Sequence, residues 1–468
     1  MKLKTLLGYA SGTAVGALLS FMTLPALAWG FSQEDVGKIV MLQIACSLIA
    51  VIFSLGLDQS YVREFNEVDN KAALAKTCLL PGFCLLVVFC LLAIIFQQPL
   101  SLLLLGTSDS YFFAIAVFSF FVLYFERFFS VFIRMQEWAL AYAVTKILPK
   151  AFFLTFVVST YFYTQLQPFN ILIVMQAFSW LLAVIVMATY LRKVLKSALQ
   201  AKIAASNLKP LLHFGLPLVI NGVAFWGLTY VDRLMLAHYA SFAEVGLYAL
   251  AAGFAGIAML FQQIFATVWH PTIYRWVAEG VQLSRVNIIS NALQLFSFVL
   301  IALVGCFSWL IPYVLPTEYF AIEFIIVACI IQPLFIMISE VSGIGISVAR
   351  STKFLPVITL ISLLLNVALN IWLIPQFGAA GAAVSTAIAT GVYLLLKTEL
   401  SVRLWQVLPR FRLYLCGFIA LSGSVLHGLA NTQFSLYFVL MWLVLAVLVV
   451  WAYREVVPQL RIIKRGVC

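Results

Sequence analysis

The chain has 468 residues, of which 64% are hydrophobic and only 10% charged, with 28 Lys and Arg against 17 Asp and Glu for a formal charge of +11. An average soluble domain carries about 45–50% apolar and about 25% charged residues, so charges this sparse exclude a soluble enzyme and a disordered chain. The sequence reads as an all-α polytopic membrane protein, and its basic excess has to be placed relative to a bilayer before it is taken as a footprint for nucleic acid.

A membrane-crossing helix needs about 20 mostly apolar residues. In chain order fourteen runs qualify: 6–29, 39–57, 79–97, 111–133, 139–162, 169–191, 214–238, 246–269, 290–311, 321–344, 354–374, 379–396, 413–430 and 434–453. They are apolar all round, without the period-2 alternation of an outer-membrane barrel. The first run invites confusion with a secretory signal, since Lys2 and Lys4 precede it and Ala26, Leu27 and Ala28 imitate a cleavage site. Signal cores are usually about 7–15 residues, shorter than Leu6 to Trp29, so a retained first helix is expected.

The basic residues then orient the chain. With the N-terminus inside, 23 of the 28 bases fall in inner segments, Lys38 alone falls outside, and four lie within spans. The inner set is Lys2, Lys4, Arg63, Lys71, Lys76, Arg134, Arg192, Lys193, Lys196, Lys202, Lys209, Arg275, Arg285, Arg350, Lys353, Lys397, Arg403, Arg410, Arg412, Arg454, Arg461, Lys464 and Arg465. A missed span would scramble this segregation, so both termini are expected in the cytoplasm. The excess of positive charge is a record of orientation, and no nucleic-acid partner is implied. The eight cysteines, at 46, 78, 84, 90, 306, 329, 416 and 468, show no metal-ligand spacing and none falls in an outer loop. They read as small apolar fillers, and no metal is expected.

Two blocks suggest a repeat. Ser32-Gln33-Glu34-Asp35-Val36-Gly37 follows the first span, and Ser241-Phe242-Ala243-Glu244-Val245-Gly246 follows the seventh. Each joins an outward-running helix to a returning one through a short loop, with Pro25 and Pro217 as kink sites in the preceding spans. Two six-helix halves of the same orientation follow, the arrangement of paired-lobe transporters. The division is an N-terminal lobe over 1–191, a basic cytoplasmic linker over 192–213, a C-terminal lobe over 214–400, and two added helices with a basic tail over 401–468. Gly8, Gly12 and Gly16 place small residues on one face of the first span, a seam for close helix approach.

The stretch Asn366 to Asn370, then Ile374-Pro375, Gly378-Ala379-Ala380-Gly381-Ala382-Ala383 and Thr386, resembles a polysaccharide-transporter signature. Phe214-Gly215-Leu216-Pro217, Asp232-Arg233 and Val245-Gly246-Leu247-Tyr248 are similar to the seventh-helix region of the same family. This is the O-antigen and teichoic-acid exporter branch of the multidrug/oligosaccharidyl-lipid/polysaccharide exporter superfamily. The resemblance implies two six-helix lobes around a central cavity that opens alternately to each side of a bacterial inner membrane. It implies an undecaprenyl-pyrophosphate-linked oligosaccharide, such as an O-antigen repeat unit, as substrate, with a polysaccharide polymerase and a chain-length regulator as partners.

An ionisable side chain inside a span costs at least about 2.5–3.5 kcal/mol on insertion scales. Four bases qualify, Arg127, Lys146, Lys150 and Arg233, with four acids, Asp58, Glu126, Asp232 and Glu340. Lys146 and Lys150 are four apart and share a helix face, with Pro149 between them. Pyrophosphate carries about two negative charges and cannot enter a low-dielectric cavity without counter-ions. Lys146, Lys150 and Arg127 are therefore the candidate pyrophosphate ligands, with Glu126 as moderating partner, and the competing role for this set is an ion-pair network holding helices four and five. Asp232 with Arg233 reads as a helix-end pair, and Asp58, at the end of helix two, as interfacial. Proton or sodium coupling would need an embedded carboxylate, and Glu126, Asp232 and Glu340 are the options. His213, His238 and His270, near helix ends, read as interfacial. Asn221, Trp226 and Tyr230 are candidate sugar contacts, whereas Asn366 and Asn370 are expected to bond helix to helix.

No cofactor and no covalent chemistry are expected, and there is no Gly-x-x-x-x-Gly-Lys-Ser/Thr phosphate loop. The leading reading is a flippase for lipid-linked repeat units. A cation-coupled multidrug exporter and a peptidoglycan-precursor flippase are rivals within the superfamily. The latter's members typically carry arginine within the first helices, and here no charge follows Lys4 in span one. A glycan polymerase or ligase would need a large outer loop with catalytic groups, and the outer loops are short.

Overall fold

The computed structural model describes residues 3–160, 168–203, 205–279, 284–351, 353–406, 409–430, 436–456 and 458. Lys2, Arg461, Lys464, Arg465 and Cys468 lie outside these residues. Every regular element among the described residues is helical. The long helices are α1 (Leu3–Gly30), α2 (Gln33–Phe53), α3 (Lys71–Ile95), α4 (Ser110–Met135), α5 (Ala139–Ser159), α6 (Phe169–Tyr190), α7 (Ala205–Tyr239), α8 (Phe242–Ala278), α9 (Ser284–Phe307) and α10 (Ile322–Ser342). A run over Phe354–Leu404 follows, broken at Gly378 into α11 (354–377) and α12 (379–404). Last come α13 (Phe411–Leu429) and α14 (Leu436–Ala452).

The fourteen apolar runs thus each have a helix. Eleven helical stretches are long and apolar enough to cross a membrane, with Phe354–Leu404 taken as one, and α14 is a shorter apolar helix of 17 residues. This is a multi-pass membrane protein. Several helices outrun their apolar stretch: α7 begins at Ala205, not near 214, and α8 continues to Ala278, beyond 269. Apolar runs mark the part in hydrocarbon, whereas backbone hydrogen bonding carries a helix on past it.

Two compact units divide the chain, Met1–Leu234 and Met235–Cys468. In the first, the glycine seam on α1 lies on α5. A Cβ on Gly12 would come 2.5 Å from Ala143 Cα, and one on Gly16 would come 2.9 Å from the Lys146 carbonyl oxygen. Between helices in lipid there is no hydrophobic drive, so such backbone approach supplies dispersion contact that larger residues would prevent. Helix α7 belongs largely to this unit. Its Trp226 indole donates to Ser47 Oγ (2.9 Å) and the Ile44 carbonyl (3.2 Å) on α2, and the Leu211 carbonyl accepts from Ser60 Oγ (2.8 Å).

In the second unit, α10 is the central helix, buried along most of its length and in contact with α8, α9, α12 and α13. Helix α14 buries Trp442, Leu445 and Val449 and exposes Leu443, Val444, Val447 and Trp451. That division is one protein-facing and one lipid-facing side of a helix. The Trp442 indole donates to His427 Nδ1 (3.2 Å), and the Tyr453 hydroxyl donates to Gln294 Oε1 (2.6 Å), fixing the last helix on its neighbours. Where α12 meets α13, Glu399 accepts from Arg410 Nε (2.6 Å) and the Tyr414 hydroxyl (2.7 Å).

The repeated blocks turn out to be helix starts. Ser32 Oγ accepts from the Asp35 amide (3.2 Å), and Ser241 Oγ accepts from the Glu244 amide (3.2 Å), each satisfying an orphan N–H of a helix N-terminus. The acids then diverge. Asp35 turns back to accept from the Ser32 hydroxyl (2.8 Å). Glu244 reaches from α8 to the chain break at Gly378, where Oε2 accepts from the Ala379 amide (2.6 Å). Gly378 has φ +53° and ψ −129°, and a Cβ there would meet the Glu244 carboxylate. Across the same break Asn366 Nδ2 donates to Thr386 Oγ1 (3.1 Å), a bond from helix to helix, whereas Asn370 Nδ2 donates to Asn366 Oδ1 (3.1 Å) within α11.

Replacing Gly378 by alanine combines a disfavoured backbone with loss of room for Glu244. The expected cost is about 1–3 kcal/mol, seen as a lower unfolding midpoint of the purified protein in detergent.

Candidate functional site

In the first unit the embedded charges fall into two sets. Asp58 is not interfacial: α2 ends at Phe53, the chain turns through Leu55 and Gly56 at positive φ, and Asp58 lies in a short helix over Leu57–Glu64, 1% exposed. Its Oδ2 pairs with Arg127 Nη2 of α4 at 2.9 Å and accepts from Gln59 Nε2 at 2.8 Å. The turn after α2 directs this carboxylate into the bundle, and Arg127 neutralises it there. The guanidinium proposed from sequence as a pyrophosphate ligand is thereby committed to a carboxylate.

Glu126, next along α4, has Lys146 and Arg127 as its electrostatic neighbours. Lys146 and Lys150 project from α5 in line with Tyr142, whose ring lies 5.5 Å from Lys146 Nζ. Among the described residues no carboxylate oxygen comes within 4.0 Å of either lysine nitrogen. Lys146 is half-buried and Lys150 exposed. The lysine face borders the α1 seam: a Cβ on Gly16 would come 3.7 Å from Lys150 Cδ. Two ammonium groups on one helix face, undirected by any ion pair, can meet an anion with several oxygens, each lysine acting as a point charge with three donors.

Asn221 is exposed on α7. Trp226 and Tyr230 have ring centroids 5.7 Å apart, with the Trp226 indole N–H committed to α2 as above. Asp232 is buried, and the Arg233 guanidinium donates to the Thr229 carbonyl (3.1 Å) and lies 5.7 Å from the Tyr230 ring. Lys38, read from sequence as the one outer base, is buried on Glu34 (2.7 Å) with its ammonium 5.6 Å from the Phe169 ring.

The second unit holds a cluster that sequence reasoning assembled only in part. Glu340 on α10 pairs through Oε1 with Lys397 Nζ of α12 (3.3 Å) and accepts at Oε2 from His270 Nε2 of α8 (2.9 Å). Lys397 also donates to Ser339 Oγ (3.2 Å). From sequence Lys397 falls with the loop bases and His270 near a helix end. Both lie within helices, because α8 and α12 run further than their apolar stretches. Of the seven described cysteines six are buried, and Cys84 is exposed.

The family of polysaccharide biosynthesis proteins matches residues 3–277, more than half of the chain. A curated relative, the probable low-salt glycan biosynthesis flippase Agl15 of Haloferax volcanii, is 23% identical over 190 residues, 40% of each chain. The match therefore spans about two fifths of that relative's length. Among solved structures, the lipid II flippase MurJ in an inward closed conformation is similar over 98% of this chain and 100% of its own, with TM-score 0.68 and 15% identity. An inward-facing multidrug resistance MATE family transporter of the MOP superfamily is similar over 83% of this chain and 94% of its own (TM-score 0.59, 12% identity). The MATE multidrug transporter DinF-BH is similar over 85% and 94% (TM-score 0.53, 18% identity). These likenesses show a shared fold. With fourteen apolar helical segments among the described residues, a Gly378 break capped by Glu244 and a family match from residue 3 to residue 277, the chain belongs to the polysaccharide biosynthesis protein family and shares its fold with the MurJ and MATE structures.

Proposed function

We propose that the protein is a flippase that carries undecaprenyl-pyrophosphate-linked oligosaccharide repeat units, of O-antigen or a related surface polysaccharide, from the inner to the outer leaflet by alternating access. The observation that carries this reading is the Lys146–Lys150 pair. A diphosphate bridging lipid and sugar needs fixed cations where water is scarce, and these are two embedded ammonium groups with no carboxylate on them. Glu126 moderates their charge. Arg127 supports the site from its pair with Asp58, as a positioning group. The family match and the glycan flippase relative support a lipid-linked glycan as cargo. Transport of this kind makes and breaks no covalent bond. The membrane is the bacterial inner membrane, both termini are cytoplasmic, and a polymerase and chain-length regulator act on the delivered units. The lobes are 1–191 and 214–400, joined by the basic linker.

Deleting the gene should leave the lipid-linked glycan in the inner leaflet and strip the polysaccharide from the cell surface. Normal surface glycan in a strain with no second carrier would sink the reading, and accumulation of a peptidoglycan precursor would favour that cargo in its place. Lys146→Ala and Lys150→Ala should each reduce surface glycan roughly tenfold or more, the loss of a hydrogen bond to a charged group, with protein abundance unchanged on an immunoblot. If abundance falls with the glycan, the lysines are packing elements. A fluorescent protein fused after Cys468 should fluoresce in the cytoplasm, while alkaline phosphatase at the same point should be inactive.

A further inference from the structure

We propose that His270, Glu340 and Lys397 form a proton-binding site, with His270 as the group that takes the proton. Lys397 already balances the charge of Glu340 at Oε1, so a structural pair would be complete without a third group. The second oxygen is given to an imidazole 2.9 Å away, the one side chain whose ordinary titration falls between about pH 5 and 8. Accessibility divides the same way: the side chains of Lys397 and Glu340 are 9% and 15% exposed, and that of His270 is 40%. The ammonium that completes the ion pair is buried, and the imidazole is the group open to solvent.

Neutral His270 donates Nε2–H to Oε2 and keeps a lone pair on Nδ1. A proton adds at Nδ1, no bond breaks, and the cluster passes from net zero to +1. The bond to Oε2, already charge-assisted by the carboxylate, then joins two ionised groups and is stronger. The titratable and charged groups around His270 are Glu340 from α10, Lys397 from α12 through that carboxylate, and Tyr274 on α8 itself, its ring stacked with centroids 6.5 Å apart. Tyr393 lies beneath Lys397 Nζ at 5.4 Å, and Arg275 follows Tyr274 on α8.

Two neighbours of His270 explain how occupancy reaches the backbone. Pro271 lies inside α8, where it removes one helical hydrogen bond and weakens the helix locally. Trp269, on the other side, is fixed whatever the pH: its indole donates to the Glu340 carbonyl (3.1 Å) and its ring is buried with Ile273, Val286, Val341 and Ile344. The end of α8 thus has a permanent anchor and an optional clasp astride a weak point. A bound proton closes the clasp onto α10 and α12. That this proton is exchanged against glycan movement rests on the transport reading above; the site itself does not.

The test is hydrogen exchange of peptides covering 262–278 in the full-length protein in lipid nanodiscs, without substrate, at pH 6 and pH 8 after correction for intrinsic rates. Wild type should exchange up to about fivefold more slowly at pH 6, the range of one half-exposed ion pair. H270Q should exchange at the faster rate at both pH values, and H270K, permanently charged, at the slower rate at both. The proposal is overturned by an unchanged pH difference in H270Q, or by H270K behaving as H270Q. Should neither variant yield monodisperse protein, equal wild-type exchange at the two pH values overturns it. A protein that shows the expected pattern and moves no glycan refutes the transport reading alone.

Discussion

A carboxylate within a helical bundle in lipid must find a cation or a donor, because hydrocarbon offers neither. The arrangement follows from how two embedded acids, Asp58 and Glu340, and Glu244 at the start of α8 meet that demand. Asp58 takes Arg127 and ties the turn after α2 to α4. Glu340 takes Lys397 and His270 and so joins three helices at one point. Glu244 takes a backbone amide at the Gly378 break. Each of these ties pins a helix end, where apolar packing is least able to fix an angle. Removing one partner of such a pair leaves a buried charge, a cost of about 3–5 kcal/mol, so these ties set which helices stay neighbours.

What the first unit does with its remaining charge follows from that. With Arg127 occupied by Asp58, the lysines of α5 stay without a direct carboxylate partner, and a local basic surplus survives inside a bundle that is otherwise balanced. The α1 seam contributes by closeness: Gly12 and Gly16 let a neighbouring helix lie against the α5 backbone instead of against its side chains. The long stems of Lys146 and Lys150 are thereby held at the border of that contact, which limits the rotamers they lose on binding an anion.

The helices were legible because lipid demands an unbroken apolar run of fixed length, and the sequence shows fourteen of them. The Gly378 break was legible from Ile374-Pro375 followed by a Gly-Ala-Ala turn, and the shared face of Lys146 and Lys150 from a spacing of four. The partnerships were not. Nothing in the periodicity of α8 says that His270 faces Glu340, 70 residues on, or that Lys397 approaches the same carboxylate from another helix. Apolar runs also end before their helices do, which is why Lys397 and His270 were assigned to the rims. Asp58 was misplaced for a related reason: a turn at positive φ redirected a residue that a continuous helix would have left at the surface.

The two serine-capped blocks differ at one position by a single methylene. Asp35 and Glu244 occupy the same place relative to their capping serine, carry the same charge, and begin equivalent turns of helix. The shorter arm closes a ring with its own cap, and the longer one spans to another segment of chain. Reach, not charge, decides whether this motif is a private matter of one helix or a strut between two. Aspartate and glutamate are therefore not synonyms at position 244, and a comparison of relatives that scores the exchange as conservative would overlook the loss of a cross-brace.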